Sequence, residues 1–249
     1  MKAMVFAAGL GTRLKPITDS MPKALVPVCG EPLLSHVLRK LVAAGYDELV
    51  VNVHHFAGQI REYLDSHDFG APVSVSDETD LLRETGGAIK HARQLLEGSG
   101  NFLIHNVDII SDLDLGRFRE MCRPGALASL LVSQRETQRY FLFDDDMRLV
   151  GWTNLTTGEV RSPYPGLDAG KCRRFAFAGI HNISSDIFGV FDSYGCPERF
   201  PIVDFYLRAC AEHPIYGIVP ESLTLVVVGK LDSLAEAEKV CRSILERGV

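Results

Sequence analysis

The chain has 249 residues, of which 46% are hydrophobic and 23% charged, as expected for a globular fold with a sizeable core. Its formal net charge of −6 at pH 7 argues against a general affinity for nucleic acid. The six cysteines are scattered without metal-ligand spacing, and no apolar run approaches the roughly 20 residues that cross a bilayer. These features predict a cytoplasmic protein with reduced thiols that binds neither membrane nor nucleic acid.

The first half of the chain alternates apolar runs with amphipathic segments. Strands are predicted at residues 4–8, 48–53, 73–75 and 102–107. Between them, one helix should open at Glu31-Pro32 and end before Gly45, and further helices should cover residues 56–64 and 85–96. This order is typical of an α/β fold with a mostly parallel sheet and helices on both faces.

The second half is less regular. Strands are predicted at residues 126–132, 174–183 and 223–228, a hairpin at 140–152, a loop at 163–170, and a helix at 202–211. The hairpin carries three adjacent aspartates, 144–146, for which a solvated turn is favoured over a metal site. A closing helix should begin at Ser233, which has capping-box spacing to Glu236.

The strongest signal is the segment A-A-G-L-G-T-R-L-K-P-I-T at residues 7–18, followed by M-P-K-A-L at 21–25. A glycine-rich turn after a strand exposes backbone N–H groups that can hold an anion. Arg13 adds a fork of donors suited to phosphate oxygens, and Lys23 adds a second, more compact cation. Leu14 stands where a dinucleotide-binding fingerprint needs its third glycine, and the Gly-Lys-Ser/Thr of a Walker loop is absent from the sequence.

This segment resembles the signature G-x-G-T-R-x-x-P-x-T, gap, P-K of the sugar-phosphate nucleotidyltransferase family, also called NDP-sugar pyrophosphorylases. The resemblance continues through E-T-G-G-A-I at residues 84–89 and F-A-F-A-G-I at 175–180. It is strongest to the small bacterial N-acetylmuramate 1-phosphate uridylyltransferases, and mannose and heptose 1-phosphate guanylyltransferases also look similar.

The resemblance implies a Rossmann-like mixed sheet with a small sugar-binding subregion. The implied reaction moves NMP from an NTP to a sugar 1-phosphate and releases pyrophosphate, with UTP and N-acetylmuramate 1-phosphate slightly preferred. A single domain spanning residues 1–249 is expected, in which residues 1–125 mainly bind nucleotide and 126–249 mainly bind sugar and supply the closing helix.

The resemblance also assigns roles to residues of the motif. The nucleotide triphosphate would be held by Ala8, Gly9, Gly11, Thr12 and Arg13. Arg13 would favour the departing pyrophosphate, and Lys23 would bridge the α-phosphate and the incoming sugar phosphate. Asp108, which follows a predicted strand, would bind Mg²⁺. The catalytic residues are thus predicted to be Arg13, Lys23 and Asp108.

Four further residues have two interpretations each. Gly86 and Gly87 match a segment that approaches the base in relatives, but they could also form a helix start capped by the preceding residues. Gly179 matches a sugar-contact position, although a glycine in a strand can equally mark a bulge. His55 follows a strand end and is either a substrate contact or part of a solvated loop.

Two departures from the family pattern affect the metal site. Val107 stands where relatives often have glycine, and Val227 stands where the family has a second metal-binding aspartate. Lys230 replaces a common threonine and could take over part of the missing charge neutralisation. Two other functions stay open: phosphocholine cytidylyl transfer, because some cytidylyltransferases have similar glycine-rich loops, and nucleotide binding without catalysis, because Val227 replaces the acid.

Overall fold

The computed structural model describes residues 1–98 and 100–247. Its strands are β1 (Lys2–Phe6), β2 (Pro27–Val28), β3 (Glu31–Pro32), β4 (Glu48–Val53), β5 (Val73–Asp77), β6 (Asn101–Asn106), β7 (Ile109–Ser111), β8 (Ala128–Ser133), β9 (Arg139–Phe143), β10 (Leu149–Asn154), β11 (Glu159–Arg161), β12 (Arg173–Ser184), β13 (Ile215–Ile218) and β14 (Leu225–Val227). Its helices are α1 (Leu33–Ala43), α2 (Ala57–Asp65), α3 (Glu84–His91), α4 (Arg93–Leu96), α5 (Leu115–Met121), α6 (Ile187–Ser193), α7 (Ile202–Ala209) and α8 (Leu231–Arg247). Short 3₁₀ turns cover Thr12–Leu14, Ile17–Asp19 and Lys23–Leu25.

Ten of the strands form one mixed sheet. Its main path runs β11-β10-β9-β12-β6-β1-β4-β5, and β8 joins β12 to β13. The run β6-β1-β4-β5 is parallel, whereas β12 pairs antiparallel with β6, β8 and β9. The parallel strands therefore end at one edge of the sheet, where ligands bind in open α/β folds.

Alternate residues of the central strands enter two separate cores. Ala3 and Val5 of β1 pack with helices α1, α2 and α8, whereas Met4 packs with α3, α4, α6 and α7. Leu103 of β6 likewise faces the first core, and its neighbours Phe102 and Ile104 face the second. Helices thus cover both faces of the sheet, and the predicted fold class is confirmed.

Most predicted elements of the first half are present, with shifted ends. The strand expected at residues 4–8 spans Lys2–Phe6, because the glycine-rich loop takes over two residues earlier than the apolar run suggests. The helix expected at 85–96 is broken at Ala92 into α3 and α4. The sequence pattern did not reveal the β2–β3 hairpin, β7, or α5.

The second half also follows the predicted order, but β11, α6 and β13 were not predicted. The acidic turn between β9 and β10 closes with a hydrogen bond from the Arg148 amide to Asp144 Oδ1 (2.8 Å). The predicted capping box is wrong, since α8 begins at Leu231 and Ser233 lies in its first turn. There the Ser233 hydroxyl accepts hydrogen bonds from the amides of Gly229 and Lys230 (3.1 and 3.2 Å), so it caps the turn from inside the helix.

Two further features bear on the predicted environment of the protein. The six cysteines are free thiols, three of them buried. Across the described ranges, the helices are too short or too polar to span a membrane.

Candidate active site

A cleft of about 430 Å³ opens at the carboxyl ends of the parallel strands. Residues at or just after the ends of β1, β4, β5 and β6 form its walls, and the start of α3 closes one side. Its lining combines backbone, apolar and charged groups: Phe6, Ala7, Ala8, Gly9, Lys23, Asn52, Glu78, Leu82, Glu84, Thr85, Asn106, Val107, Asp108 and Pro201. Of the predicted site residues, the cleft brings together Ala8, Gly9, Lys23 and Asp108.

The glycine-rich loop presents free backbone donors to this cleft. The amide of Ala7 is used by Asn52 Oδ1 (2.7 Å), but the amides of residues 8–11 donate to nothing in ranges 1–98 and 100–247. Gly11 has φ +64°, and a Cβ there would lie 3.0 Å from Thr18 Cγ2, so only glycine fits. The loop can therefore offer successive N–H groups to an anion.

Lys23 and Asp108 form an ion pair inside the cleft. Lys23 Nζ donates to Asp108 Oδ2, and the two side chains are only 12% and 17% exposed. Asp108 lies between β6 and β7, and its carbonyl accepts a hydrogen bond from the Val228 amide (2.8 Å). A paired, largely desolvated ammonium is held where an incoming phosphate can replace the carboxylate. Because both side chains are largely buried, this pair is not a surface salt bridge.

A buried polar network supports the floor of the cleft, and it was not found from the sequence. Asn52 Nδ2 donates to Glu78 Oε1 (2.8 Å), and the Arg83 amide donates to Glu78 Oε2 (3.2 Å). Glu78 is fully buried, and this burial raises the pKa of its carboxyl group. The available signal was Asn52 itself, a polar residue in the otherwise apolar end of a predicted strand.

Gly86 and Gly87 are buried in α3 and do not line the cleft. Both amides donate to the carbonyl of Phe200 (2.8 and 3.1 Å). A Cβ on Gly86 would lie 2.3 Å from the Phe200 ring, and one on Gly87 would lie 2.2 Å from the carbonyl oxygen of Glu198. Close packing against this segment thus explains both glycines, while their predicted contact with a base stays a prediction.

Gly179 and His55 also lie outside the cleft lining. Gly179 has φ +74° and falls where the β12–β8 register shifts, so it marks a bulge. A Cβ there would lie 2.6 Å from Asn106 Nδ2, which places this glycine directly behind a cleft residue. His55 is exposed and packs on the ring of Phe56, with 4.0 Å between centroids.

The end of β14 lies beside the Lys23–Asp108 pair. Val226 and Val228 are buried in the core, whereas Val227 faces the other way and is partly exposed, as strand alternation requires. Val227 pairs with Ile109 but is not part of the cleft lining. The carboxylate expected at this position in the family is therefore replaced by a side chain that cannot bind a cation.

Arg13 and Lys230 both lie near the end of β14, but their surroundings differ. A Cβ on Gly229 would lie 3.4 Å from Arg13 Nη2, so the guanidinium occupies the space beside that glycine. Within the described residues, Arg13 forms no ion pair. Lys230 is 67% exposed and pairs with Asp232 (3.6 Å). The position of Lys230 therefore gives no support to its predicted role near the phosphates.

The donor set fits a divalent cation that arrives with a phosphate ligand. Among residues 1–98 and 100–247 there is no cluster of three His, Cys, Asp or Glu side chains that could hold a metal alone. Mg²⁺ commonly keeps several waters and uses one or two carboxylates together with substrate phosphates. Asp108 supplies one such carboxylate at the cleft, and Val227 supplies none.

Comparison with known proteins identifies the class. The family model described as nucleotidyl transferase matches residues 2–140, more than half of the chain. The chain belongs to this sugar-phosphate nucleotidyltransferase family and is an enzyme of that family, as the glycine-rich motif predicted.

Individual relatives agree with this assignment. The chain is 33% identical over 236 residues to N-acetylmuramate alpha-1-phosphate uridylyltransferase from Caulobacter vibrioides, covering 90% of each protein. It is 41% identical over 115 residues to the enzyme of the same name from Neisseria meningitidis serogroup B, covering 46% of this chain and 49% of that protein. A solved UDP-glucose pyrophosphorylase complexed with UDP-glucose has the same fold, with a TM-score of 0.75, 15% identity, and coverage of 97% and 98%.

Proposed function

We propose that this sugar-1-phosphate nucleotidyltransferase transfers UMP from UTP to N-acetylmuramate 1-phosphate. The observation that carries the reaction type is the Lys23–Asp108 pair in the same cleft as the free amides of Ala8 and Gly9. The substrates are supported by the Caulobacter vibrioides relative, which matches this chain over nearly its whole length.

The nucleotide would enter with its triphosphate on the glycine-rich loop. The free amides of residues 8–11 and the Thr12 hydroxyl would donate to phosphate oxygens, and Arg13 would neutralise the β- and γ-phosphates. Residues 1–125 supply these groups, so we assign nucleotide binding mainly to this half of the chain. The sugar would contact the half from 126 to 249, near the Gly179 bulge that lies behind Asn106.

The chemistry needs no general base. An ionised oxygen of the sugar phosphate attacks the α-phosphorus, a new P–O bond forms, and the bond to the β-phosphate oxygen breaks with its electron pair leaving on pyrophosphate. Lys23 would exchange Asp108 for phosphate oxygens and thereby stabilise the negative charge that the two substrates bring together. Arg13, beside Gly229, would stabilise the leaving pyrophosphate.

Asp108 is the residue that would hold Mg²⁺. When bound, the ion screens the charges of the phosphates and holds them in one geometry. If the phosphates draw Lys23 away from Asp108, its carboxylate becomes free to bind the cation.

A screen for pyrophosphate release tests the proposal. Each of the four NTPs would be combined with the 1-phosphates of N-acetylmuramate, N-acetylglucosamine, glucose, mannose and heptose, and CTP also with phosphocholine, in the presence of Mg²⁺. We expect the highest kcat/KM for UTP with N-acetylmuramate 1-phosphate. N-acetylglucosamine 1-phosphate is the sharpest comparison, because it differs only in lacking the lactyl group.

Other outcomes would replace the proposal in defined ways. A preference for GTP with mannose or heptose 1-phosphate would assign a guanylyltransferase, and turnover of CTP with phosphocholine would assign a cytidylyltransferase. Equal rates with N-acetylmuramate and N-acetylglucosamine 1-phosphates would show that the enzyme does not recognise the lactyl group.

Val227 supports a second candidate, a protein that binds nucleotide but does not transfer it. Its side chain removes a possible metal ligand beside Asp108. Calorimetric binding of an NTP with no pyrophosphate release from any pair in the screen would favour this candidate.

A further inference from the structure

A second cavity, of about 610 Å³, lies away from the cleft and shares no lining residue with it. Helix α1 forms one wall, α8 forms another, and the segment from Ile109 to Gly116 forms the third. Its surface is mainly apolar, with Val37, Ile110, Leu113, Leu115, Ile244 and Leu245 among the lining side chains. Leu245 is 61% exposed at this site, so the cavity is open to solvent.

Lys40 is a partly buried cation in the lining of this cavity, which also includes Arg39, His36 and Asp114. Its Nζ donates to the carbonyl oxygen of Ser111 (2.5 Å) and lies 3.4 Å from the Ser111 hydroxyl. Within the described residues, no carboxylate lies within ion-pair distance of Lys40. Burial lowers the pKa of this amine to about 8.

The charged groups around Lys40 do not supply a direct partner. On α1, His36 hydrogen-bonds the Val28 carbonyl oxygen and Arg39 donates to Ser35. Asp112 accepts from the Thr224 amide and lies 3.4 Å from Arg247 of α8, and Asp114 accepts from the Arg117 amide at the start of α5. Both aspartates favour the charged amine from a distance, and His105, buried beneath, is kept neutral by its own burial.

An ammonium that is largely withdrawn from water without a directly paired carboxylate is costly, and a bound anion would provide that pair. Lys40 can balance one negative charge, which suits a carboxylate better than a doubly charged phosphate. The apolar walls around it suit a hydrocarbon body. We propose that the cavity between α1 and α8 is a binding site for a small amphiphilic carboxylate, held with its anionic group against Lys40 and its apolar part against Leu113 and Ile244.

Calorimetric titration with octanoate tests this site, with 1-octanol as the uncharged probe of equal chain length. Octanoate should bind more tightly than octanol. Lys40→Met should weaken octanoate binding by about 10- to 100-fold, the usual effect of losing a charged hydrogen bond, and should leave octanol binding unchanged. Lys40→Arg should retain most of the octanoate affinity.

Two further variants locate the binding. Ile244→Trp should block the cavity while leaving Lys40 in place, and Lys23→Met should not change octanoate affinity because that lysine lies in the cleft. The affinity should be constant from about pH 6, where octanoate is ionised, to about pH 8, and fall above it because the free amine then loses its proton. Melting temperatures of all variants would show that each is folded.

Several results would overturn the proposal. These are equal affinity for octanoate and octanol, octanoate binding that survives both Lys40→Met and Ile244→Trp, and loss of binding in Lys23→Met. Octanoate affinity that falls as protein concentration rises would show that a second copy of the chain covers this face, and would also exclude the small-ligand site.

Discussion

The two cavities each contain a largely buried lysine, but the two lysines have different partners. Lys23 is paired with Asp108 in the cleft, whereas Lys40 donates to the neutral oxygens of Ser111 and forms no ion pair within the described residues. A paired cation can exchange its carboxylate for a phosphate with little change in local charge, so Lys23 is ready for an anionic substrate. In the unliganded protein, burial instead destabilises the charged form of Lys40, and the lowered pKa of its amine reflects this.

The contrast shows that the role of a largely buried cation depends on which groups pair with it. Both lysines follow the same rule, that charge taken out of water needs compensation. In the cleft a carboxylate of the chain pairs with the cation, whereas near the second cavity Asp112 and Asp114 act from a distance and a paired anion would have to come from a ligand. Five substitutions test this contrast and the site around Lys23.

The largest effect is expected for Lys23→Met, which removes the charge that should contact both phosphates. Turnover should fall on the order of 10³-fold, at the upper end of what single charge-stabilising groups contribute. Steady-state pyrophosphate release measures this, with Lys171→Met as the control because Lys171 is 85% exposed and far along the chain. Normal turnover in Lys23→Met would remove this residue from the mechanism.

Asp108→Asn should come next, because it preserves the shape of the side chain but removes its charge. We expect a loss on the order of 10²-fold and a higher Mg²⁺ concentration for half-maximal rate. In the free protein the variant also leaves Lys23 without a carboxylate, as Lys40 is now. The exposed Asp145→Asn of the acidic turn serves as the control, and a normal rate at low Mg²⁺ would make Asp108 structural.

Arg13→Ala should reduce turnover by about 10²-fold without affecting the fold, because the guanidinium is exposed and has no partner to lose within the described chain. The same pyrophosphate assay applies, and circular dichroism would check the fold. Arg117→Ala, on the surface of α5, is the matched control. Turnover equal to the native rate would exclude Arg13 as the group that stabilises pyrophosphate.

Lys40→Met should alter how stability depends on pH. The pKa of Lys40 is about 8 in the folded protein and near 10.5 when unfolded, so between these values the unfolded chain binds more protons. The native free energy of unfolding therefore gains up to about 3 kcal/mol from this group as the pH rises through that window. Urea unfolding should show this gain in the native protein and in Lys239→Met, but not in Lys40→Met; equal slopes would contradict it.

The smallest effect is expected for Val227→Asp, which adds a carboxylate beside Asp108. In the presence of NTP, Mn²⁺ should bind about tenfold more tightly or better, as measured by electron paramagnetic resonance. Turnover should also rise if the native enzyme is short of metal. Val160→Asp, on an exposed edge strand, controls for the added charge. No change in either quantity would mean that residue 227 does not reach the metal.

The local sequence pattern was sufficient to predict the parallel half of the sheet. Apolar runs bounded by glycine or polar residues locate β1, β4 and β6 to within about two residues. The three-residue strand β7 carries no periodicity and is defined by its pairing with β14, whose segment was predicted as a strand. The capping box predicted at Ser233 was wrong for a similar reason: the spacing of two residues does not specify where a helix begins.

The part of the site formed by the glycine-rich motif was predictable, because the motif places several phosphate-binding groups within a few residues. Lys23 and Asp108 are 85 positions apart, and their contact follows only from the sheet that brings β1 and β6 together. Glu78 could not be singled out, because its importance lies in its burial and in the bonds from Asn52 and Arg83. For Gly86, the sequence alone could not distinguish room for a ligand from room for the ring of Phe200.

The long strand β12 has a consequence for how the chain folds. It supplies hydrogen-bond partners for β6 from the first half and for β8 and β9 from the second. When only residues 1–125 have left the ribosome, β12 is not yet available. The β6 edge of the sheet is therefore unpaired, and Phe102 and Ile104 lack part of the packing that buries them in the complete fold. Such an edge invites pairing with other chains. Separately produced halves should thus aggregate alone, yet restore each other when they are made together.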